Sequence, residues 1–153
     1  LKSEKGERLA QFSFAGNAWK LDWIDKNRHQ HPWKIMTGDA DSDGTEDIAV
    51  CVFKKPKFWP DSGNGFFVFK VTEKSIAPLW LGSRLSLPFI DAELKQMPGS
   101  SKTFLLAIEK HSKGKRAVRY EWKSFGFFVV EILATDTEAN SVKEFLLIHK
   151  EKL

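Results

Sequence analysis

Apolar residues along this chain either alternate with polar ones or gather in short blocks, and turn-forming residues interrupt them at close intervals. Such a pattern predicts strands over residues 9–15 (LAQFSFA), 18–24, 32–36, 47–53 (DIAVCVF), 65–71 (GFFVFKV), 77–83, 88–94, 103–109 (TFLLAIE), 117–123, 126–133 and 144–150 (EFLLIHK). Between them lie GDADSDG, PDSGNG, MPGSSK, HSKGK and DTEANS, all rich in turn formers. No segment holds a 3.6-residue apolar period over three turns, so the expected fold is all-β with short connections.

The strand pattern also repeats. TEDIAVCVFK (45–54) lies over SKTFLLAIEK (101–110) at an offset of 56, and KTFLLAIEK lies over KEFLLIHKE (143–151) at an offset of 41. These periods approach one four-stranded propeller blade, about 40–50 residues. The expected architecture is therefore about two and a half β-propeller-like blades of antiparallel strands, as a partial propeller or an open sheet stack. The chain divides into the end of one blade (1–32), a first whole blade (33–88), a second (89–132) and a partial one (133–153). Closed propellers use about 4–8 blades. A longer native chain, self-association or an open stack would each answer that shortfall.

The segment GDADSDGTEDIAV (38–50) carries the most specific chemistry. With Asp39 as position 1, Asp41 and Asp43 take positions 3 and 5, Gly44 position 6, Thr45 position 7 and Asp47 position 9. A hard cation needs this arrangement: alternate carboxylates point inward, glycine allows the sharp turn, and a backbone carbonyl at position 7 adds an oxygen. Position 12 is Val50, so the bidentate Glu of a helical calcium hand is missing, and an apolar strand follows. The competing explanation is an Asx-rich turn bonded to its own backbone. Chance placement of the five-residue pattern is on the order of 1 in 10⁴ at average composition. Crowded carboxylates also repel without a cation. The expected ligand is Ca²⁺, which tolerates many oxygens in irregular geometry. At the repeat offsets, the second loop (95–103) has lost every carboxylate, while the third offers Asp136, Glu138, Asn140 and Glu144 as a degenerate metal loop.

Residues Trp33 to Val50, WKIMTGDADSDGTEDIAV, resemble the FG-GAP/VCBS repeat group, the calcium-loop blades of integrin α-subunit propellers and many exported bacterial proteins. They carry its strand, then G-D-x-[DN]-x-D-G-x-x-D, then an apolar strand. The resemblance is specific over that stretch, weak at 94–110 and partial at 133–150. It implies a β-propeller, calcium as the metal and an extracytoplasmic setting (secreted, periplasmic or surface-anchored). Two of the three loops depart from the motif, which implies a protein with one calcium. The group hosts adhesion, carbohydrate-related and structural roles, so fold alone does not fix function.

Composition narrows the function classes. The formal charge is +4 with both signs interspersed, which favours a solvated surface over a nucleic-acid binder. No stretch reaches the ~18–20 apolar residues of a membrane span. A chain beginning at Leu1 suggests a processed or trimmed product, after loss of an export signal or at a cloning boundary. The lone Cys51 lies in an apolar run and is expected to be a small buried hydrophobe. Thirteen Phe and six Trp favour packed sheets, with most Trp in the core. Phe58 and Trp59, on a Pro-framed hairpin loop, are the candidate ligand-binding pair for a protein or carbohydrate. His29 and His31 lack further ligands nearby, and the basic 110–119 hairpin is interleaved with Glu109 and Glu121. No Ser elbow, Cys–His pair, phosphate loop or zinc signature is present. The expected function is a non-catalytic calcium-binding β-repeat module for extracytoplasmic binding or scaffolding. The alternative is a domain of a carbohydrate-active enzyme, drawing on carboxylates such as Asp91 and Glu93.

Overall fold

A computed structural model describes residues 8–26, 30–57, 60–72, 76–82, 84–96 and 99–149. Its strands are β1 (Ala10–Ala15), β2 (Ala18–Ile24), β3 (Pro32–Gly38), β4 (Asp47–Lys54), β5 (Gly63–Val71), β6 (Ile76–Gly82), β7 (Phe89–Gln96), β8 (Thr103–His111), β9 (Gly114–Lys123) and β10 (Gly126–Ala134). One short helix, α1 (Val142–Ile148), follows them. The fold is all-β and its sheets are open. Strands β3-β4-β5-β6 form one antiparallel meander and β7-β8-β9-β10 a second, with β1 and β2 as a separate hairpin. Gly16 and Asn17, with φ of 58° and 64°, turn that hairpin in the left-handed region, as a tight two-residue connection requires.

The two meanders stack face to face like successive propeller blades. Ala49, Cys51, Phe66 and Val68 from the first sheet meet Ala92, Leu94, Leu105, Ala107, Val118 and Tyr120 from the second. Because strand side chains alternate, the intervening residues point outward. Val50, Val52, Phe67 and Phe69 are covered by Leu9 and Trp23 beside the hairpin. Leu106, Ile108 and Ala117 are covered by Ala139, Val142 and Phe145 around the helix. The order is hairpin, sheet, sheet, helix. Middle strands buried on both faces explain the unbroken apolar runs IAVCV, FFVF and LLAI.

Polar ties hold the stack in register. Lys34 on β3 bridges Asp91 at 2.7 Å and Glu93 at 3.1 Å on β7, so the leading strands of the two sheets are neighbours. Asp91 Oδ2 also accepts from the Val142 N–H at 2.8 Å, which fixes the start of α1. Glu109 is fully buried yet satisfied by Arg116 Nη2 (2.8 Å), the Leu87 N–H (3.2 Å) and the Tyr120 hydroxyl. Burial, then the bond to Glu109, raises the Tyr120 pKa and keeps the phenol a donor. Trp80 lies over Gly82, where an added Cβ would fall 2.2 Å from its ring, so a larger residue there would displace the indole.

Three expectations need correcting. Most tryptophans are not core residues: Trp19 and Trp33 are exposed, while Trp23, Trp80 and Trp122 are half-buried. Residues 144–148 are not a strand: they belong to the helix Val142–Ile148. Ser141 caps it, its hydroxyl accepting from the Glu144 N–H at 3.1 Å, while Glu144 Oε2 accepts from the Asn140 N–H at 2.7 Å. This reciprocal arrangement resembles a capping box, and it starts a helix where the repeat alignment expected a third blade strand. The two intact repeats also differ in loop length. Gly38 pairs with Asp47 and Gln96 with Thr103, so the second loop is two residues shorter than a constant offset implies.

Phe66 is fully buried between the sheets and meets the Phe127 ring edge-on at 5.8 Å. Phe66→Ala should cost about 3–5 kcal/mol, a large share of a typical domain's stability. Urea unfolding measures this, and a loss near zero would contradict the face-to-face packing.

Candidate metal centre

The loop 39–46 joins β3 to β4 at the end of the first sheet, closed by the Gly38–Asp47 pair. Its backbone turns through Ser42 (φ 60°) and Gly44 (φ 90°), both left-handed; glycine adopts that conformation without strain. Asp39 shapes the turn: Oδ1 accepts from the Asp43 N–H and Oδ2 from the Gly44 N–H, each at 2.9 Å. Asp43 Oδ1 accepts from the Thr45 N–H at 3.0 Å and the Thr45 hydroxyl at 2.6 Å. Glu46 turns away, accepting a long bond from the Thr37 hydroxyl at 3.4 Å.

Oxygens of Asp39, Asp41 and Asp43 all lie within 4.8 Å of one another, the one such three-residue group of metal-type side chains found among the described residues. Asp47 is not part of that group. Its side chain is fully enclosed, and Oδ2 accepts from the Ala40 N–H at 3.0 Å. The other oxygen, Oδ1, has no hydrogen-bond partner. An enclosed carboxylate oxygen left unbonded is costly. Burial accordingly raises the Asp47 pKa, against the opposing effect of the Ala40 bond.

Sequence reasoning missed one participant. Lys70 of β5 stands directly opposite Asp47 in the β4–β5 ladder. Its ammonium bonds both oxygens of Asp41, at 3.0 and 2.9 Å, and also Asp43 Oδ2. It reaches only to 3.8 Å from Asp47 Oδ1, outside hydrogen-bond range. Bonds from Lys70 and then Thr45 hold the Asp43 carboxyl well below the usual range. Burial opposes the charge on Lys70, but its bonds to Asp43 and Asp41 outweigh this and raise its pKa. The available signal was a lysine closing the apolar run FFVFKV, at the position that hairpin register sets against Asp47.

The donor set suits a hard divalent cation. It consists of carboxylate oxygens, and the unbonded Asp47 Oδ1 is a buried acceptor beside the Asp41 and Asp43 carboxylates. The Lys70 ammonium is shared by three of these carboxylates, those of Asp41, Asp43 and Asp47.

The remaining candidates fall elsewhere. Around the third loop, Asn140 Oδ1 accepts from Lys115 Nζ at 3.0 Å, and Asp136 Oδ1 is 3.6 Å from His111 Nε2. Glu138 offers its backbone carbonyl to Lys115 at 2.7 Å, while Glu144 bonds the chain ahead of α1. Phe58, Trp59 and His29 lie outside the described residues; His31 is exposed. Asp91 and Glu93 share the Lys34 ammonium. In the basic hairpin, Arg116 pairs with Glu109 and Arg119 with Glu131, at 2.8 and 2.6 Å. Cys51 is fully buried, and burial pushes its thiol up to about 12, far from nucleophilic use. Among the described residues, no helix is long and apolar enough to cross a membrane.

No family model, curated protein or solved structure matches the chain.

If the third loop serves α1 and not an ion, Ser141→Ala should cost about 1 kcal/mol, the usual worth of an N-cap. Denaturant unfolding should give the same loss in calcium and in chelator. A loss that appears only in calcium would mark this loop as a metal site.

Proposed function

We propose that the chain is a non-catalytic β-repeat module with a structural Ca²⁺ loop, serving binding or scaffolding outside the cytoplasm. The supporting observation is the enclosed Asp47 Oδ1, which accepts no hydrogen bond and shares the Lys70 ammonium with the Asp41 and Asp43 carboxylates. Asp39, Asp41, Asp43 and Asp47 would supply carboxylate oxygens, and Thr45 its backbone carbonyl. Bound there, the ion would tie the β3–β4 loop to the start of β4 at one end of the sheet. That is a folding role, in which binding free energy becomes conformational stability.

The extracytoplasmic setting rests on the resemblance of residues 33–50 to FG-GAP/VCBS loops. A binding or scaffold role agrees with the chemistry of the other polar clusters. The carboxylate pair Asp91 and Glu93 is bridged by Lys34, and Glu109 is enclosed by Arg116 and Tyr120. These groups serve packing, which weighs against the carbohydrate-active enzyme.

Calcium at about 100 times its dissociation constant should add about 2.7 kcal/mol, a Tm rise of roughly 5–10 °C for a chain of this size. An Asp41→Ala, Asp43→Ala double variant should lose that rise. Melting curves in calcium and in chelator are the check. Equal curves for the natural protein under both conditions would reduce the loop to a turn and remove the metal from this reading.

A further inference from the structure

Lys70 stands where the cation would compete for the same oxygens. Its ammonium bonds Asp41 and Asp43 and lies 3.8 Å from the unbonded Asp47 Oδ1. An ion ligating those carboxylates at about 2.3–2.6 Å would share their oxygens with the ammonium and face a like charge at close range. The chain contains its own comparison. Ala49 pairs with Val68 in the first sheet as Leu105 pairs with Tyr120 in the second. Counting two residues on, Trp122 occupies the place of Lys70 in the sheet whose loop carries no carboxylate. Within this one chain the lysine accompanies the acidic loop.

We propose that Lys70 is a tethered cation: it occupies the carboxylates of the metal-free loop and is displaced when a divalent ion enters. This rests on the calcium reading above and adds a regulator to it. The lysine limits the repulsion among the carboxylates when metal is absent, so the loop stays formed. It also opposes the incoming ion and thereby sets the calcium concentration at which the site fills. The side chain has room to move, being 23% exposed at the surface end of β5.

Two measurements with Ca²⁺ test the idea. Calorimetric titration compares the natural protein with Lys70→Met, which keeps the aliphatic length and removes the charge. The variant should bind calcium about tenfold more tightly or better, the direction set by removing a positive charge from the site, and should melt earlier than the natural protein in chelator. In the second measurement, the natural protein is treated with an amine acylating reagent, and modification at Lys70 is followed by mass spectrometry. Acylation of Lys70 should be slow in chelator and severalfold faster in saturating calcium, with lysines distant from the loop as internal controls. Equal calcium affinities, or unchanged Lys70 labelling with calcium bound, would overturn the displacement while leaving the calcium site standing. Absence of calcium binding in both proteins would overturn the calcium reading and the displacement together. Should Lys70→Met fail to fold in calcium, the labelling result on the natural chain decides the matter.

Discussion

Each middle strand of the two meanders must bury both of its faces, and the remaining architecture follows from that requirement. Once Cys51 and Phe66 of the first sheet pack against the second, Val50, Val52 and Phe67 are left pointing the other way. Leu9 and Trp23 cover them. The same logic on the far side leaves Leu106 and Ile108 in need of a cover, which Val142 and Phe145 provide. Burying such side chains gains about 1.5–3 kcal/mol each, so neither outer layer is incidental. A single isolated meander could satisfy only one face of these runs. The repeat is therefore a packing device, since a blade of this sequence is stable only with neighbours.

Stacking in turn fixes where charge can sit. Polar residues near the packed faces are held in compact groups: Lys34 with Asp91 and Glu93, and Glu109 with Arg116, Tyr120 and Leu87. Breaking such a group would strand a charge at low dielectric, so these groups oppose sliding of one element over another. The acidic loop departs from this habit. Asp47 belongs to the sheet through its backbone and is enclosed like the other groups, yet one of its oxygens has no bond. Gln30 Oε1, His111 Nε2 and Arg119 Nε also lack a hydrogen bond, but among these buried atoms Asp47 Oδ1 is the carboxylate oxygen.

Much of this was legible in the sequence because it is local. Period-2 alternation and turn formers place the strands, and the 39–47 aspartates show their spacing without reference to anything distant. The repeat was legible through the strand after each loop, where side-chain demands are strict. It hid the two-residue contraction of the second loop, because the anchoring similarity begins only after the loop ends. The terminal helix was misread because seven residues make under two turns, too few to separate a helical period from a strand. Its caps were nonetheless present as Ser141 and Glu144. Lys70 could not be found by scanning near the loop, since it arrives through the β4–β5 register from the far arm of a hairpin.

Spacing along the chain counts the negative charges but says nothing about what the neighbouring strand places opposite them. Here the four aspartates suggest a site of high negative charge, while the ladder introduces a lysine that bonds two of them and approaches a third. The effective field at the loop is therefore set by two strands together. A loop with the same spacing but an apolar residue opposite Asp47 would hold its carboxylates less well without metal and attract the ion more strongly. Affinity in such a site belongs to the hairpin as much as to the motif.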